Sequence, residues 1–233
     1  LAPSEMCIRD SIPASIDNNL PGSELSIGTD TALNVIVEAM DKIKESGIAS
    51  RRCFVVETMG RDCGYLALMS GIAAGAERIY TNEDGISLDD LANDVHWLRE
   101  SFAHGRRLFL AVRNENASHN YTTDFIARLL EEESHGMYDV RQVVLGHMQQ
   151  GGSPSPFDRL LANRLGYRAL NLIDDELAAH QDGSWFIGVN ESGMRPCSMD
   201  TMPSLIDAAH RRPREQWWLQ LRTIARMVSD EVR

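Results

Sequence analysis

The chain has 233 residues, 43% of them hydrophobic, enough to bury a sizeable core in one or two domains. Its formal net charge of −11 argues against a nucleic-acid backbone as the main partner. No run of roughly 18 apolar residues marks a transmembrane helix, and Cys7, Cys53, Cys63 and Cys197 lack zinc-type pairing, which suits a reduced, cytoplasmic protein.

Residues 1–11 are expected to be a non-native leader outside the fold. Glu5, Arg9 and Asp10 interrupt any signal-peptide pattern, and residues 4–10 read like translated sequencing-adaptor sequence. Residues 15–22 are turn-rich, through Asp17, Asn18, Asn19, Pro21 and Gly22. From 29 to 45, Leu33, Ile36, Val37, Met40 and Ile43 recur at helical spacing, and Gly47 supplies a stop. A short apolar strand is expected at 53–56, entered through Arg51 and Arg52, with a loop at its exit over 57–64. A buried helix rich in Ala, Gly and Met follows at 66–76.

Further strands are expected at 78–81, 108–113, 140–145 and 186–189, the last clear one. Ser87 caps a helix running to Phe102, Thr122 or Thr123 caps one reaching about Glu133, and another runs over 156–172. Strands alternating with helices imply βαβ units and a mainly parallel sheet.

The most informative stretch is Gly146-His147-Met148-Gln149-Gln150-Gly151-Gly152, continuing through Pro156 to Asp158 and Arg159. It reads as a strand ending in a His and two amides, then a Gly-Gly turn and a helix entered at Pro156. That places polar side chains at the carboxyl edge of a sheet, where open α/β folds bind ligands. Taken alone, it is equally well an ordinary strand-turn-helix joint with a satisfied core histidine.

Its company decides. The stretch resembles the G-H-x-Q-x-G-G-x-P-x-x-x-D-R signature of 6-phosphofructokinases. Ser15-Ile16-Asp17-Asn18-Asn19, Glu57-Thr58-Met59-Gly60-Arg61 and Arg113-Asn114-Glu115 match further blocks of that family in the same order. Residues 120–125 and Glu215-Gln216-Trp217-Trp218, with Met148-Gln149-Gln150, resemble the carboxyl-terminal half of the duplicated eukaryotic enzymes.

The resemblance implies an α/β, two-lobed phosphofructokinase-type fold with mainly parallel, helix-flanked sheets, whose amino-terminal part lies outside this chain. Residues 12–29 would belong to a nucleotide lobe, 30–153 to a sugar-phosphate lobe, 154–204 to a return to the nucleotide lobe, and 205–233 to a carboxyl-terminal helical segment. For the whole enzyme it implies transfer of the ATP γ-phosphoryl group to the 1-hydroxyl of fructose 6-phosphate, in glycolysis. Mg2+ and ATP would be bound mostly outside this chain, which would supply no metal ligand. Implied partners are fructose 6-phosphate or fructose 2,6-bisphosphate, the other half of the enzyme and neighbouring subunits of a homotetramer, with no nucleic acid and no membrane.

By the same resemblance, Asp17 corresponds to the catalytic base and Arg61 to an arginine that stabilises the transferring group. Ser15, Ile16, Asn18, Asn19, Met59, Gly60, Met148, Gln149 and Gln150 line that site. Arg52, Arg141 and His147 would hold the sugar's phosphate through charge-assisted hydrogen bonds, with the residues matching Arg52 and Arg141 reaching into a neighbouring subunit's site, so that a complete pocket requires association. Glu115 would accept from sugar hydroxyls, and Arg211 resembles a further phosphate contact. On the residues alone, Asp17 is a turn aspartate, the arginines are solvated charges and Glu115 is half of a structural ion pair.

Two departures stand out. Active halves carry Asp-Asn-Asp and His-x-Gln-Arg, whereas this chain has Asn19 and Gln150. Regulatory halves usually replace the base by Ser and the Met-Gly-Arg arginine by Gly, and this chain keeps both Asp17 and Arg61. An effector site for fructose 2,6-bisphosphate is expected, with a still-catalytic site or a pyrophosphate-dependent relative as alternatives. No glycine-rich nucleotide loop is present, so the chain alone is expected to be inactive.

Overall fold

The computed structural model describes residues 8–47, 50–180 and 182–230. In chain order the elements are β1 (Ile8–Ser11), α1 (Thr29–Gly47), β2 (Arg52–Thr58), α2 (Tyr65–Ala74) and β3 (Arg78–Tyr80). Then come α3 (Leu88–Ala103), β4 (Leu108–Asn114), α4 (Thr123–Glu132), β5 (Asp139–Val144) and α5 (Pro156–Ala179). The chain continues through β6 (Gly183–Asn190), β7 (Gly193–Ser198), α6 (Met202–Leu205), β8 (Ile206–Asp207), β9 (Arg212–Pro213) and α7 (Arg222–Asp230). It divides into two compact units, Leu1–Thr31 with Ser153–Trp217, and Ala32–Gly152 with Trp218–Arg233. None of the described helices is long and apolar enough to cross a membrane.

The second unit is built on a four-stranded sheet of order β3-β4-β2-β5, with every pair parallel. A parallel sheet covered on both faces reads as continuous apolar runs. Accordingly, the central strands bury Cys53, Phe54, Val55 and Val56 beside Phe109, Leu110, Ala111 and Val112. Register pairs Arg52 with Leu108 and Thr58 with Asn114, so β2 and β4 end together.

Against this sheet pack Leu91, Leu98 and Phe102 of α3 and Ile126 and Leu130 of α4. Ser87 caps α3 through a reciprocal capping box with Asp90. Helix α2 is apolar on most sides and buried, and Gly71 leaves room for Ile79, which an added methyl would meet at 2.6 Å. Trp218 is fully buried, edge-on to Tyr65 at 5.8 Å.

The first unit holds a three-stranded sheet of order β1-β6-β7, in which β1 runs parallel to β6 and β7 antiparallel. Leu161 and Leu165 of α5 are buried with Ile187 of β6.

Four expectations are corrected. Residues 8–11, assigned to the leader, form β1 along Gly183–Phe186; only the backbone need be compatible for a short strand to add to a sheet. Residues 1–7 of that assignment lie outside the described residues. The composition of β1 does leave a mark: both Asp10 carboxylate oxygens and Glu176 Oε2 are buried without a hydrogen-bond partner. Burial, with Glu176 nearby, pushes the Asp10 carboxyl above its usual range.

Phe186–Val189 is not the last strand, because β7 follows through a tight turn at Glu191 and Ser192. Its Pro196 sits on an edge strand, where a missing N–H is tolerated. Helix α5 runs to Ala179 rather than about Leu172; its last turns carry Asp174 and Asp175 on the exposed side and bury Glu176 in place of an apolar residue, so the apolar period fades before the helix ends. Finally, Gly146–Gln150 is a 3-10 turn, not a strand end, and Gly146 leaves β5 at φ +51°.

Candidate functional site

Three of the four sequence blocks meet at the carboxyl edge of the parallel sheet in the second unit. The Glu115 N–H donates to Thr58 O at 2.9 Å, and the Leu145 N–H donates to Glu57 O at 3.1 Å. The loop after β2 is held by side chains from both neighbours. Glu115 Oε1 accepts from the backbone N–H of Gly60 at 3.1 Å and of Arg61 at 2.7 Å. Gln149, 1% exposed, accepts from the Met59 N–H at 3.2 Å and donates to Gly146 O at 3.0 Å.

The loop's geometry is demanding. Gly60 has φ +137°, and a Cβ there would stand 2.5 Å from Cys63 O. Arg61, at φ +52°, occupies the left-handed region that costs a non-glycine residue free energy. Its side chain is exposed. A conformation so constrained persists only where its surroundings enforce it, and here Glu115 and Gln149 do so.

Beneath the loop lies Arg113, 1% exposed. It donates to Glu57 Oε2 at 2.9 Å, to Glu115 O at 3.0 Å, to Ser118 O at 2.6 Å and to Tyr121 O at 3.2 Å. Thr123 donates to the same Glu57 oxygen. Burial lowers the Arg113 pKa, and the Glu57 carboxylate opposes that shift.

Glu115 therefore has a different immediate role from the one expected: one carboxylate oxygen is engaged with the backbone of the Met-Gly-Arg loop rather than open to a sugar. His147, Met148 and Gln150 are exposed on the 3-10 turn, while Gln149 points inward. A 3-10 turn fans successive side chains to different sides, so the four residues do not form one polar face.

Within the chain, Arg52 and Arg141 lie apart from His147. Arg52 opens β2 and His147 follows the end of β5, and parallel strands place those positions at opposite edges of the sheet. Six residues at about 3.3 Å each separate Arg52 from Thr58 by roughly 20 Å. Arg141 lies beside Phe54, exposed, donating to Val140 O at 2.7 Å and 3.7 Å from Asp139.

The fourth block lies in the first unit. Asp17 and Asn18 are buried, and Asn18 adopts φ +53°. Asn18 donates to Glu24 O at 2.8 Å and accepts from the Ser26 N–H at 2.9 Å. Ser15 Oγ accepts from the Asp17 N–H and donates to Asn19 Oδ1, each at 3.3 Å. Ile16 is half-buried. Arg211 is exposed on the turn between β8 and β9, at φ +52°.

Sequence reasoning quoted Asp158 within the signature stretch but gave it no role; it accepts from the backbone N–H of Gly28 at 2.9 Å and of Thr31 at 2.8 Å. The available signal was Ser155 three residues before Asp158 behind a proline-rich turn, the spacing of a helix cap. It also gave no sign of a cavity of about 1640 Å³ in the second unit, between β3, α3 and α7. There Trp97 lies between the guanidinium groups of Arg78 and Arg106, at 5.0 and 5.2 Å. Those cations pair with Asp94 and Glu77, whose carboxyl pKa values are raised chiefly by burial. No residue expected at the sugar-phosphate site lines it.

A parallel sheet flanked by helices, with anchored polar loops at its carboxyl edge, makes this an α/β protein of the kind whose ligand sites lie at that edge. A family profile described as Phosphofructokinase matches residues 9–173, and the chain belongs to that family. It is 43% identical over 229 residues to "ATP-dependent 6-phosphofructokinase, muscle type" of Homo sapiens, covering 94% of this chain and 29% of that protein. It is 42% identical over 228 residues to the platelet type of Rattus norvegicus, again covering 29% of the relative. The structure of phosphofructokinase from Saccharomyces cerevisiae superposes with a TM-score of 0.90 at 35% identity, over 96% of this chain and 31% of that one. The chain thus spans under a third of the length of these relatives.

Proposed function

We propose that the chain is the carboxyl-terminal, regulatory-type half of an ATP-dependent 6-phosphofructokinase, a cytoplasmic glycolytic phosphotransferase, and that it binds fructose 2,6-bisphosphate as an activator. The observation that carries this reading is the anchored Met59–Arg61 loop. Its backbone is held in a strained form by Glu115 and Gln149, while the reacting-end cation of active halves is replaced by the exposed Gln150. A strained, preorganised loop suits an anion site, and the lost cation removes transition-state stabilisation.

Ser15, Ile16, Asp17, Asn18, Asn19, Met59, Gly60, Arg61, Met148, Gln149 and Gln150 are assigned to that site. His147 and Arg211 would add phosphate contacts, and Glu115 would combine loop anchoring with a sugar contact through its second oxygen. The lobes would follow the boundaries expected from sequence. Mg2+ and ATP are assigned mostly to residues outside the chain, as the family resemblance implies, because no glycine-rich nucleotide loop is found in this sequence. A coupled assay with fructose 6-phosphate and magnesium-ATP is expected to give no turnover for the 233-residue chain alone. Turnover at the rate of a whole phosphofructokinase would sink that assignment.

A second reading, that this half is itself catalytic, is favoured by one observation: Asp17 and Arg61 are both present. In an effector-only site Arg61 could still bind a phosphate, but the Asp17 carboxylate would have no chemical task.

Arg52 and Arg141 lie away from the Met59–Arg61 loop within the chain, so they are proposed to complete the phosphate cradle of a neighbouring subunit in a homotetramer. Hydrogen bonds to charged groups are worth roughly 1.5–3 kcal/mol, so Arg141→Ala in the full-length assembly is expected to weaken sugar-phosphate binding more than tenfold. Calorimetry with fructose 2,6-bisphosphate measures this, and unchanged affinity would remove Arg141 from the site.

A further inference from the structure

We infer that Thr31 and Asp158 form a clamp that positions the Ser15–Asn19 loop, and that ligand affinity at this half depends on the Thr31 hydroxyl. The inference rests on assigning that loop to the sugar-phosphate site. Thr31 Oγ1 donates to Asp158 Oδ2 and accepts from the Ser155 N–H at 3.0 Å, so one hydroxyl joins the start of α1 to the start of α5. Asp158, 3% exposed, takes the N–H of Gly28 on Oδ1 and of Thr31 on Oδ2, while its own N–H donates to Ser155 Oγ. The first N–H groups of a helix have no partner within it, and a carboxylate there is favoured by the helix dipole. The buried Asp158 carboxylate closes the start of α1, and the Ser155 hydroxyl caps the start of α5.

From this clamp the connection to the loop is short. Between Thr29 and Ser15 there is a single hydrogen bond, Thr29 Oγ1 to Ser15 O at 2.8 Å. Ser15 Oγ in turn accepts from the Asp17 N–H and donates to Asn19. Residues 12–28 contain no helix or ladder strand; besides the isolated bridge between Ala14 and Ile27 and the Ile27 N–H bond to Pro13 O, Asn18 ties to Glu24 O and the Ser26 N–H, and the Glu24 N–H donates to Val189 O at 2.7 Å, which leaves the Ser15 end held mainly through residues 27–29. A segment with so little regular structure takes its shape from its ties. Moving residues 28–31 therefore moves Ser15, and with it the backbone that sets the Asp17 side chain. Thr31 and Asp158 do not touch ligand in this account; they act through the loop.

The test uses the full-length enzyme with its upstream sugar-phosphate site blocked, carrying Thr31→Val or Thr31→Ser. Fructose 2,6-bisphosphate and fructose 6-phosphate are titrated by calorimetry, and urea unfolding is followed alongside. Thr31→Val keeps the shape and removes the hydroxyl, and is expected to weaken binding of either ligand about tenfold. Thr31→Ser restores the hydroxyl and is expected to bind within about twofold of the parent. Should Thr31→Val not fold, Thr31→Ala removes the same hydroxyl without the β-branch. Parent-like affinity in the hydroxyl-less variant, whatever its urea midpoint, overturns the clamp as a positioning device and leaves it structural only. A parent enzyme that binds neither ligand at this half overturns the site assignment itself, and the clamp with it.

Discussion

Replacing Arg113 by Met is expected to lower the unfolding free energy of its unit by about 3 kcal/mol. The side chain is 2% exposed and pairs with Glu57, whose side chain is 21% exposed. Removing the cation strips the carboxylate of its charge partner and leaves three carbonyl oxygens, of Glu115, Ser118 and Tyr121, without their donor. The partial exposure of Glu57 keeps the loss near the low end of the 3–5 kcal/mol typical of breaking a buried pair. Arg113→Lys should recover only part, because an ammonium cannot reproduce the planar fork that serves four acceptors. Urea unfolding of the three proteins measures the difference. A loss below about 1 kcal/mol for the Met variant would mean that the pair contributes no more than an exposed ion pair does.

The region around Arg113 also shows where sequence stops informing. The strands of the second unit were legible because burial on both faces makes their apolar runs continuous, as at Cys53–Val56. The start of α3 was legible because Ser87 and Asp90 keep the spacing that a capping box requires. The role of Glu115 was not. A glutamate after a strand reads the same whether it faces a sugar or the Gly60 and Arg61 N–H groups, and only the fold brings those donors to it.

The separation of Arg52 from His147 was, by contrast, available. Arg52 enters a strand and His147 leaves one, and parallel strand direction alone puts them at opposite edges. The family resemblance implies the same separation, since it gives Arg52 and His147 a shared kind of ligand but places Arg52 in a neighbouring subunit's site. The Thr31–Asp158 clamp was not legible for a simpler reason: the residues are 127 positions apart, and the motif that contains Asp158 says nothing of which distant backbone its carboxylate holds.

Asp17→Ser is expected to leave the maximal velocity of the full-length enzyme intact and to keep or strengthen activation by fructose 2,6-bisphosphate. In an effector-only site the carboxylate has no proton to take, and beside a second phosphate it is a repulsive charge. Serine retains a short polar group for the turn, whose backbone is already tied by Asn18 to Glu24 O and the Ser26 N–H. A catalytic site predicts the opposite, because loss of a general base typically costs about 10²–10⁴ in rate. The two outcomes separate most clearly in full-length enzyme whose upstream half has been inactivated, where remaining turnover can come only from this half. Residual turnover that falls by such a factor in Asp17→Ser would overturn the effector-only reading. Asn19 and Gln150 set the expectation: on the proposed reading, a base without the carboxylate and cation that the resemblance implies beside it would sit in a site poorly able to organise magnesium or the transferring phosphate.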